Sequence, residues 1–391
     1  MAAVKSYVDV LISPSMQNYI STNTTVGVWW HEFNEIFWTT EFWLPKDVDW
    51  RDLQPTRDQK YPAFHDIFVY PLMLSIAIMI IKHFFMDPSI LSPLARLAGI
   101  ANKRTKPPIH NKLLENLFQS FGDKPPHDII VKAATETDIS VRGIERWLRR
   151  RHIVTLCTKY DKFLDCGFHF IAHTLMFVYG FAIMYNKPWL SDIHLSWENY
   201  PFHFIDADVW WYYMLCLAYY WASTFMHIFS TGGKMSGSTQ MLFHHFFTIL
   251  LMVFSWACNF VRIGTLVLMV HECVDVPLLS AKMYKYAGFE APTDALFTVF
   301  FIMWIYTRCY LYPFWIMHSV FIEATNIMGI PSVVLFKLLL IGLLILNIVW
   351  TVLIFGIIIK KYTGGSLEDI RSDAEEVSEE EDDDVLTKKN D

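Results

Sequence analysis

Three patterns that would have assigned this 391-residue chain to a common class are missing from it. Its six cysteines (Cys157, Cys166, Cys216, Cys258, Cys273, Cys309) form neither CxxC pairs nor the even spacing of a secreted disulfide framework. They read as small packing residues. The N-terminus lacks the charged-then-apolar-then-small order of a cleaved signal peptide, so none is expected. Histidines are numerous, but no HxxHH cluster occurs, which argues against a di-iron hydroxylase or desaturase, and no metal site or cofactor is expected. Charge is also scarce, at 18% of residues, and unevenly spread. The net charge of −7 averages an acidic tail with a basic block near residue 150.

Apolar residues make up 53% of the chain, and several runs exceed the ~18 residues needed to cross a bilayer. The sequence therefore predicts an all-α polytopic membrane protein with about seven transmembrane helices. The expected division is a polar, tryptophan-rich segment 1–63, a first membrane helix 64–86, a soluble insert 87–161, a six-helix region 162–360 and an acidic tail 361–391. Further spans are expected at 162–185, 209–230, about 240–258, 260–282, 293–319 and 332–359. Pro71 is expected to kink the first, with Lys82 and His83 snorkelling from its end. Within the insert, 111–121 and 141–157 read as short helices. It carries thirteen basic against eight acidic residues, and segment 1–63 five against eight. The positive-inside rule then puts the insert and C-terminus in the cytosol and the N-terminus in the lumen. Asn23-Thr24-Thr25 is a glycosylation sequon on that lumenal segment. In the tail, Ser366, Ser372 and Ser378 each have an acid three residues on and read as phosphorylation sites. High charge with low hydrophobicity predicts a disordered tail.

Stretch 240–286, QMLFHHFFTILLMVFSWACNFVRIGTLVLMVHECVDVPLLSAKMYKY, is apolar enough for two spans yet carries His244, His245, Asn259, Arg262, His271, Glu272 and Asp275. An ionisable group in hydrocarbon costs about 2.5–3.5 kcal/mol even on lenient scales, so such groups mark function by default. His244 and His245 point about 100° apart and line neighbouring sides of a groove. His271 and Asp275 are i and i+4, so the carboxylate is expected to accept from that imidazole and fix its tautomer. All four fall in the half of the bundle near the insert and can meet in one cavity. His169 and His173 are expected to be interhelical hydrogen bonders. Asn259 and Arg262, at the far turn, are expected to pair with backbone carbonyls.

The same stretch resembles the signature of ceramide synthases, within the TLC (TRAM, longevity and ceramide synthase) domain. The match covers HH, SW, the Asn and Arg after it, the second-helix His, the Asp three residues beyond Glu272, and AKM. Glu272 departs, standing where the family has Asp. EFWLPKDVDWRDL is similar to the family's lumenal lead-in. VRGIERWLRRRH resembles the third helix of a homeodomain, as in the homeobox-like insert of many animal ceramide synthases. Arg150 occupies the position of the DNA-reading asparagine, so sequence-specific DNA binding is not expected. A basic edge meeting anionic lipid or protein is the expectation instead. The terminal Lys388-Lys389-Asn390-Asp391 resembles a dilysine retrieval signal, which implies the endoplasmic reticulum membrane.

The resemblance implies N-acylation of a sphingoid base by a fatty acyl-CoA, with acyl-CoA as co-substrate rather than cofactor. A neutral imidazole from His244 or His245 suits the base, the other polarising the thioester, with His271 and Asp275 orienting substrate or relaying the proton. A covalent acyl-histidine route is equally open. Lys234, Lys282 and Lys285 are placed for the CoA phosphates, with Asn259, Arg262 and Glu272 as further substrate contacts. The loop before the paired histidines, STGGKMSGSTQ, lacks the family's Arg/Lys-rich stretch. Acyl selectivity in the family is tied to the loop between the last two helices, here 322–332. A homo- or heterodimer stays open, as does a non-enzymatic lipid sensor or translocation partner.

Overall fold

A computed structural model describes residues 37–56, 60–102, 106–231 and 238–363. Among them every regular element is helical. Asn23, Lys234, Ser366, Ser372 and Ser378 lie outside the described residues, as do Lys388 and Lys389.

The chain rises first as α1, Asp66–Leu97. It was expected to stop near residue 86. Instead it runs on through wide π-type turns over Lys82–Leu91, although Pro88 lies among them. Lys82 does not snorkel: its Nζ sits 3.4 Å from Asp87 and 4.0 Å from Asp165.

The insert holds three helices, α2 (Lys112–Phe121), α3 (His127–Thr137) and α4 (Val141–Thr155). Asn111 caps α2 by accepting from the Leu113 and Leu114 amides, and Ser140 caps α4 through the Gly143 amide. The middle helix is an addition to the expected pair. Pro126 serves as its N-cap. Only Ile130 and Ala133 of α3 are buried, a stripe too narrow to stand out in sequence. Leu114, Leu117, Ile144 and Leu148 complete the small core. Arg151 clamps α4 to α2 with paired bonds to Glu115 at 2.7 and 2.9 Å, which holds that carboxyl below its ordinary range. Arg150 bonds the Lys106 carbonyl at 3.2 Å.

Six membrane-scale helices follow: α5 (Lys159–Met184), α6 (Ala207–Thr231), α7 (Ser238–Ala257), α8 (Val261–Tyr286), α9 (Glu290–Ala324) and α10 (Ser332–Tyr362). A capping box between Thr158 and Asp161 starts α5. Six described spans are long and apolar enough to cross a membrane. The seventh expected, α6, has the length, roughly 37 Å at 1.5 Å per residue, but its tyrosines and tryptophans lower its hydropathy. It tolerates them because Tyr212, Tyr213, Met214, Cys216, Leu217 and Ala218 are all fully buried, shielded from lipid by α1, α5 and α7. At the centre lies α8, packed on α5, α7 and α9. Five consecutive residues, Val270 to Val274, are buried in it, so neighbours cover every side of that turn.

At the end away from the insert, the loop 185–206 is tied to the turn between α7 and α8. Asn259 sits there at φ +58° and donates to the carbonyls of Pro201 (2.7 Å) and His203 (2.9 Å). Arg262 donates to the Leu195 carbonyl at 2.9 Å and stacks over Trp189 at 4.9 Å. Both residues therefore anchor the loop through backbone carbonyls, as expected.

Candidate active site

Helix register brings the expected residues together near the middle of α8. His244 faces His271 across the α7–α8 seam, ring centroids 6.5 Å apart and nearly parallel, and His245 lies 6.0 Å from His244. Tyr220 of α6 faces both members of the pair, at 6.2 and 5.8 Å. Trp350 of α10 closes the other side of His244 at 5.4 Å and is held by its own bond to Gln240 at 3.1 Å.

Hydrogen bonds assign the reactive nitrogens. Thr224 donates its hydroxyl proton to the Tyr220 carbonyl at 2.7 Å, so its oxygen accepts from His245 Nδ1 at 3.1 Å. His245 is thereby held with its lone pair on Nε2. His271 Nδ1 donates to the Val267 carbonyl at 2.8 Å, leaving Nε2 as the basic nitrogen, buried and without a partner. The expected His271–Asp275 bond is not made. The ring satisfies itself on the carbonyl one turn back, and Asp275 turns instead towards His173 and Arg308, each 4.0 Å away.

Glu272, the residue that departs from the family pattern, is fully buried at the heart of a polar cluster. It accepts from Tyr220 at 2.9 Å and pairs with His173 Nδ1 of α5. The other nitrogen of His173 meets the Tyr219 hydroxyl at 2.9 Å, which also meets His169 Nδ1 at 2.6 Å. His169 and His173 do bond between helices, as expected, but they bond into the site. Arg308 of α9 is buried, donates to the His271 carbonyl at 2.7 Å and stacks on Trp304, while its Nε and Nη1 find no partner. Arg308, Tyr219, Tyr220 and Thr224 were not singled out by the sequence reading. For Arg308 the signal was present: it is an ionisable residue inside the apolar run FIMWIYTRCYLYPFW, the same mark that selects Arg262. Among the described residues, no three His, Cys, Asp or Glu side chains converge as metal ligands.

From this polar cluster an apolar cavity runs towards the far end, enclosing about 590 Å³ with its mouth. His271 and Tyr220 stand at one end, Phe260 and Phe336 at the other. The eleven residue steps from Phe260, the N-cap of α8, to His271 give it a length of roughly 16 Å. Gly264 lines it because a Cβ there would overlap the Tyr213 hydroxyl, which is itself bonded to Ser255. The stretch 322–332, expected as a loop, is largely helical: α9 runs to Ala324, a further turn covers Thr325–Met328 and α10 begins at Ser332, so Val320 and Phe336 bring this short connection against the far end of the cavity. Lys282 and Lys285 lie on the last turns of α8, at the insert end.

What the geometry offers is a set of imidazoles, two of them with assigned lone pairs, at the head of a long apolar slot and beside the buried Glu272 carboxylate and the half-buried Asp275. A family model for the TLC domain matches residues 162–356. The chain is 34% identical over 355 residues to human ceramide synthase 5, spanning 90% of this chain and 89% of that protein. It is 31% identical to mouse ceramide synthase 3 over 345 residues, 88% of each chain. Human ceramide synthase 4 is 30% identical over 346 residues, 88% of this chain and 87% of the relative.

Proposed function

This chain belongs to the ceramide synthase family, and from that membership we propose that it transfers a fatty acyl group from acyl-CoA to the amine of a sphingoid base. The observation that carries the reading is a long apolar slot headed by His271 and Tyr220, the two side chains that face the paired imidazoles of His244 and His245. A thioester is already activated, so the remaining task is to deprotonate an ammonium and hold the developing oxyanion. Two carboxyl groups, Glu272 and Asp275, with His173 and Arg308 beside them, give this end of the cavity the polar groups that an amine head needs. The slot suits the acyl chain.

In the direct route, Nε2 of His245 takes the ammonium proton while His244 polarises the thioester oxygen. The amine then attacks the carbonyl carbon, the C–S bond breaks, and sulfur leaves with the electron pair. In the covalent route, an imidazole attacks first and the amine resolves the acyl-imidazole. The tautomer set by Thr224 serves either role. The protein is proposed to lie in the endoplasmic reticulum membrane with the insert end cytosolic. There Lys282 and Lys285, with the basic insert, meet the CoA phosphates.

The test is a microsomal assay of sphinganine against acyl-CoAs of graded length, with His244→Ala and His245→Ala beside the native chain. Amide formation by the native chain and its loss in the variants, with normal membrane insertion, is expected. A native chain that inserts but makes no amide refutes the transferase reading in favour of a non-enzymatic lipid sensor. Acyl-CoA alone, followed by intact mass, separates the routes: an adduct that disappears on adding sphinganine eliminates direct attack.

A further inference from the structure

Acyl transfer as proposed above leaves one proton to be exported. The ammonium R–NH3+ loses two protons in becoming an amide N–H. One goes to the departing sulfur to give the thiol, and the other must leave a site walled by apolar side chains. Glu272, the natural acceptor, is fully buried, and a carboxyl group that kept the proton would block the next turnover.

The structure offers a way out. Tyr219 and Tyr220 are adjacent on α6, so their hydroxyls point about 100° apart. Tyr220 faces the paired histidines and bonds Glu272 at 2.9 Å. Tyr219 faces α5 and bridges His173 and His169 at 2.9 and 2.6 Å. His169 and His173, i and i+4 on α5, stand one turn apart on one face. Beyond His169, its Nε2 lies 3.6 Å from the Asp165 carboxylate, one turn back on α5. Asp165 is in turn 4.0 Å from Lys82 of α1. Side-chain exposure increases outward, from 0% at Glu272 through 13% at His173 and 22% at His169 to 46% at Asp165. Asp165 lies about 9 Å from the insert end of α5.

We propose that Tyr220, Glu272, His173, Tyr219, His169 and Asp165 form a proton relay that carries the surplus amine proton from the reaction centre to the insert end of the bundle. Each tyrosine hydroxyl takes up and releases a proton on its one oxygen, whereas the carboxyl and the imidazoles take one up on one atom and release one from another; Tyr220 passes its proton to Glu272 as it takes one up from the site. With His173 and His169 each carrying their hydrogen on Nε2, Glu272 hands its proton to the free Nδ1 of His173, and His173 Nε2 gives one to the Tyr219 oxygen. Tyr219 gives its own to His169 Nδ1, and His169 Nε2 releases one towards Asp165. No bond other than those to hydrogen changes, and no co-reactant is needed. Asp275 and Arg308, 4.0 Å apart beside His173, flank the line without joining it. His169, His173 and Tyr219 are positioning residues here: they act on the reaction through Glu272.

The inference rests on the transferase reading, and the experiment separates the two. Full-length native protein, Tyr219→Phe and His169→Ala are purified into lipid nanodiscs and assayed with sphinganine and acyl-CoA. Tyr219→Phe keeps the ring and removes one bridging hydroxyl. Its kcat is expected to fall at least about tenfold, short of the ~10²-fold or more lost with a direct proton-transfer group, with KM for both substrates unchanged. His169→Ala leaves a ring-sized space open to the insert end, and added imidazole is expected to restore its turnover in proportion to concentration. Imidazole has no effect on the native chain. Native turnover in Tyr219→Phe overturns the relay, as does a loss in His169→Ala that imidazole does not repair. Failure of the native chain to form amide overturns the transferase reading itself.

Discussion

Replacing Phe336 with leucine should lengthen the acyl chain this protein prefers, and the size of the change follows from the cavity. Phe336 closes the far end of the slot against Phe260, ring centroids 4.8 Å apart. Every methylene that fits inside contributes about 0.8 kcal/mol of transfer free energy. That is about fourfold in kcat/KM per carbon, until the chain end meets the wall. A phenylalanine reaches roughly two carbons further into the slot than a leucine. Phe336→Leu should therefore let in about two more methylenes, changing the preference between the old and new optimum by about 15-fold. Leucine keeps most of the volume, so the folding cost stays near 1.5 kcal/mol or below. The assay is competition between acyl-CoAs of graded length, with product amides separated by mass. Phe355→Leu, on the same helix but facing Phe301 outside the cavity, serves as control and should leave the profile alone. An unchanged optimum in Phe336→Leu, or the same shift in the control, would refute the assignment of this slot to the acyl chain.

Two other consequences concern the loop at the far end. Asn259→Ala removes two bonds to backbone carbonyls and puts alanine at φ +58°, so the protein should lose about 2–3 kcal/mol of stability; thermal unfolding in detergent measures it, and KM in the surviving protein should be unchanged, whereas a raised KM would support its role as a substrate contact. Burial, reinforced by Arg262, pushes His203 down to about 4 from an ordinary 6.5, so the unfolded chain binds the proton more readily and stability falls as pH drops from 6.5 towards 4; His203→Gln, which keeps a donor for the Glu198 carbonyl but does not titrate, should flatten the pH dependence of the melting temperature over that window.

The helices and their order could be read from sequence because lipid demands long apolar runs, and so could the meeting of His244, His245, His271 and the α8 carboxylates, because helix period and depth fix which residues share a level. What could not be read was which partner each polar group takes. His271 had two acceptors within reach, the Asp275 carboxylate one turn ahead and the Val267 carbonyl one turn back, and only the packing of α9 decides between them: Arg308 draws Asp275 aside. The same limit hid the α5 histidines. Their i, i+4 spacing showed a shared face, but nothing in the sequence said that Tyr219 of α6 would stand opposite. Arg308 was legible and passed over, since its run lay outside the family signature that drew attention to α7 and α8.

Glu272 shows why the departure from the family pattern is chemically coherent here. A carboxylate at this point of α8 has Tyr220 on one side and His173 on the other, contributed by two different helices. Buried with no exposure, it would cost several kcal/mol unless both oxygens were engaged, and each oxygen does have its own partner. The longer side chain of glutamate spans the distance between α6 and α5 without drawing α8 out of its packing against α9. Truncating either partner leaves one carboxyl oxygen buried and unpartnered, which is more costly than losing the whole group. The integrity of the cluster and the reactivity of the histidines beside it therefore depend on the same three-helix junction, and the junction holds because Tyr220 touches both sets.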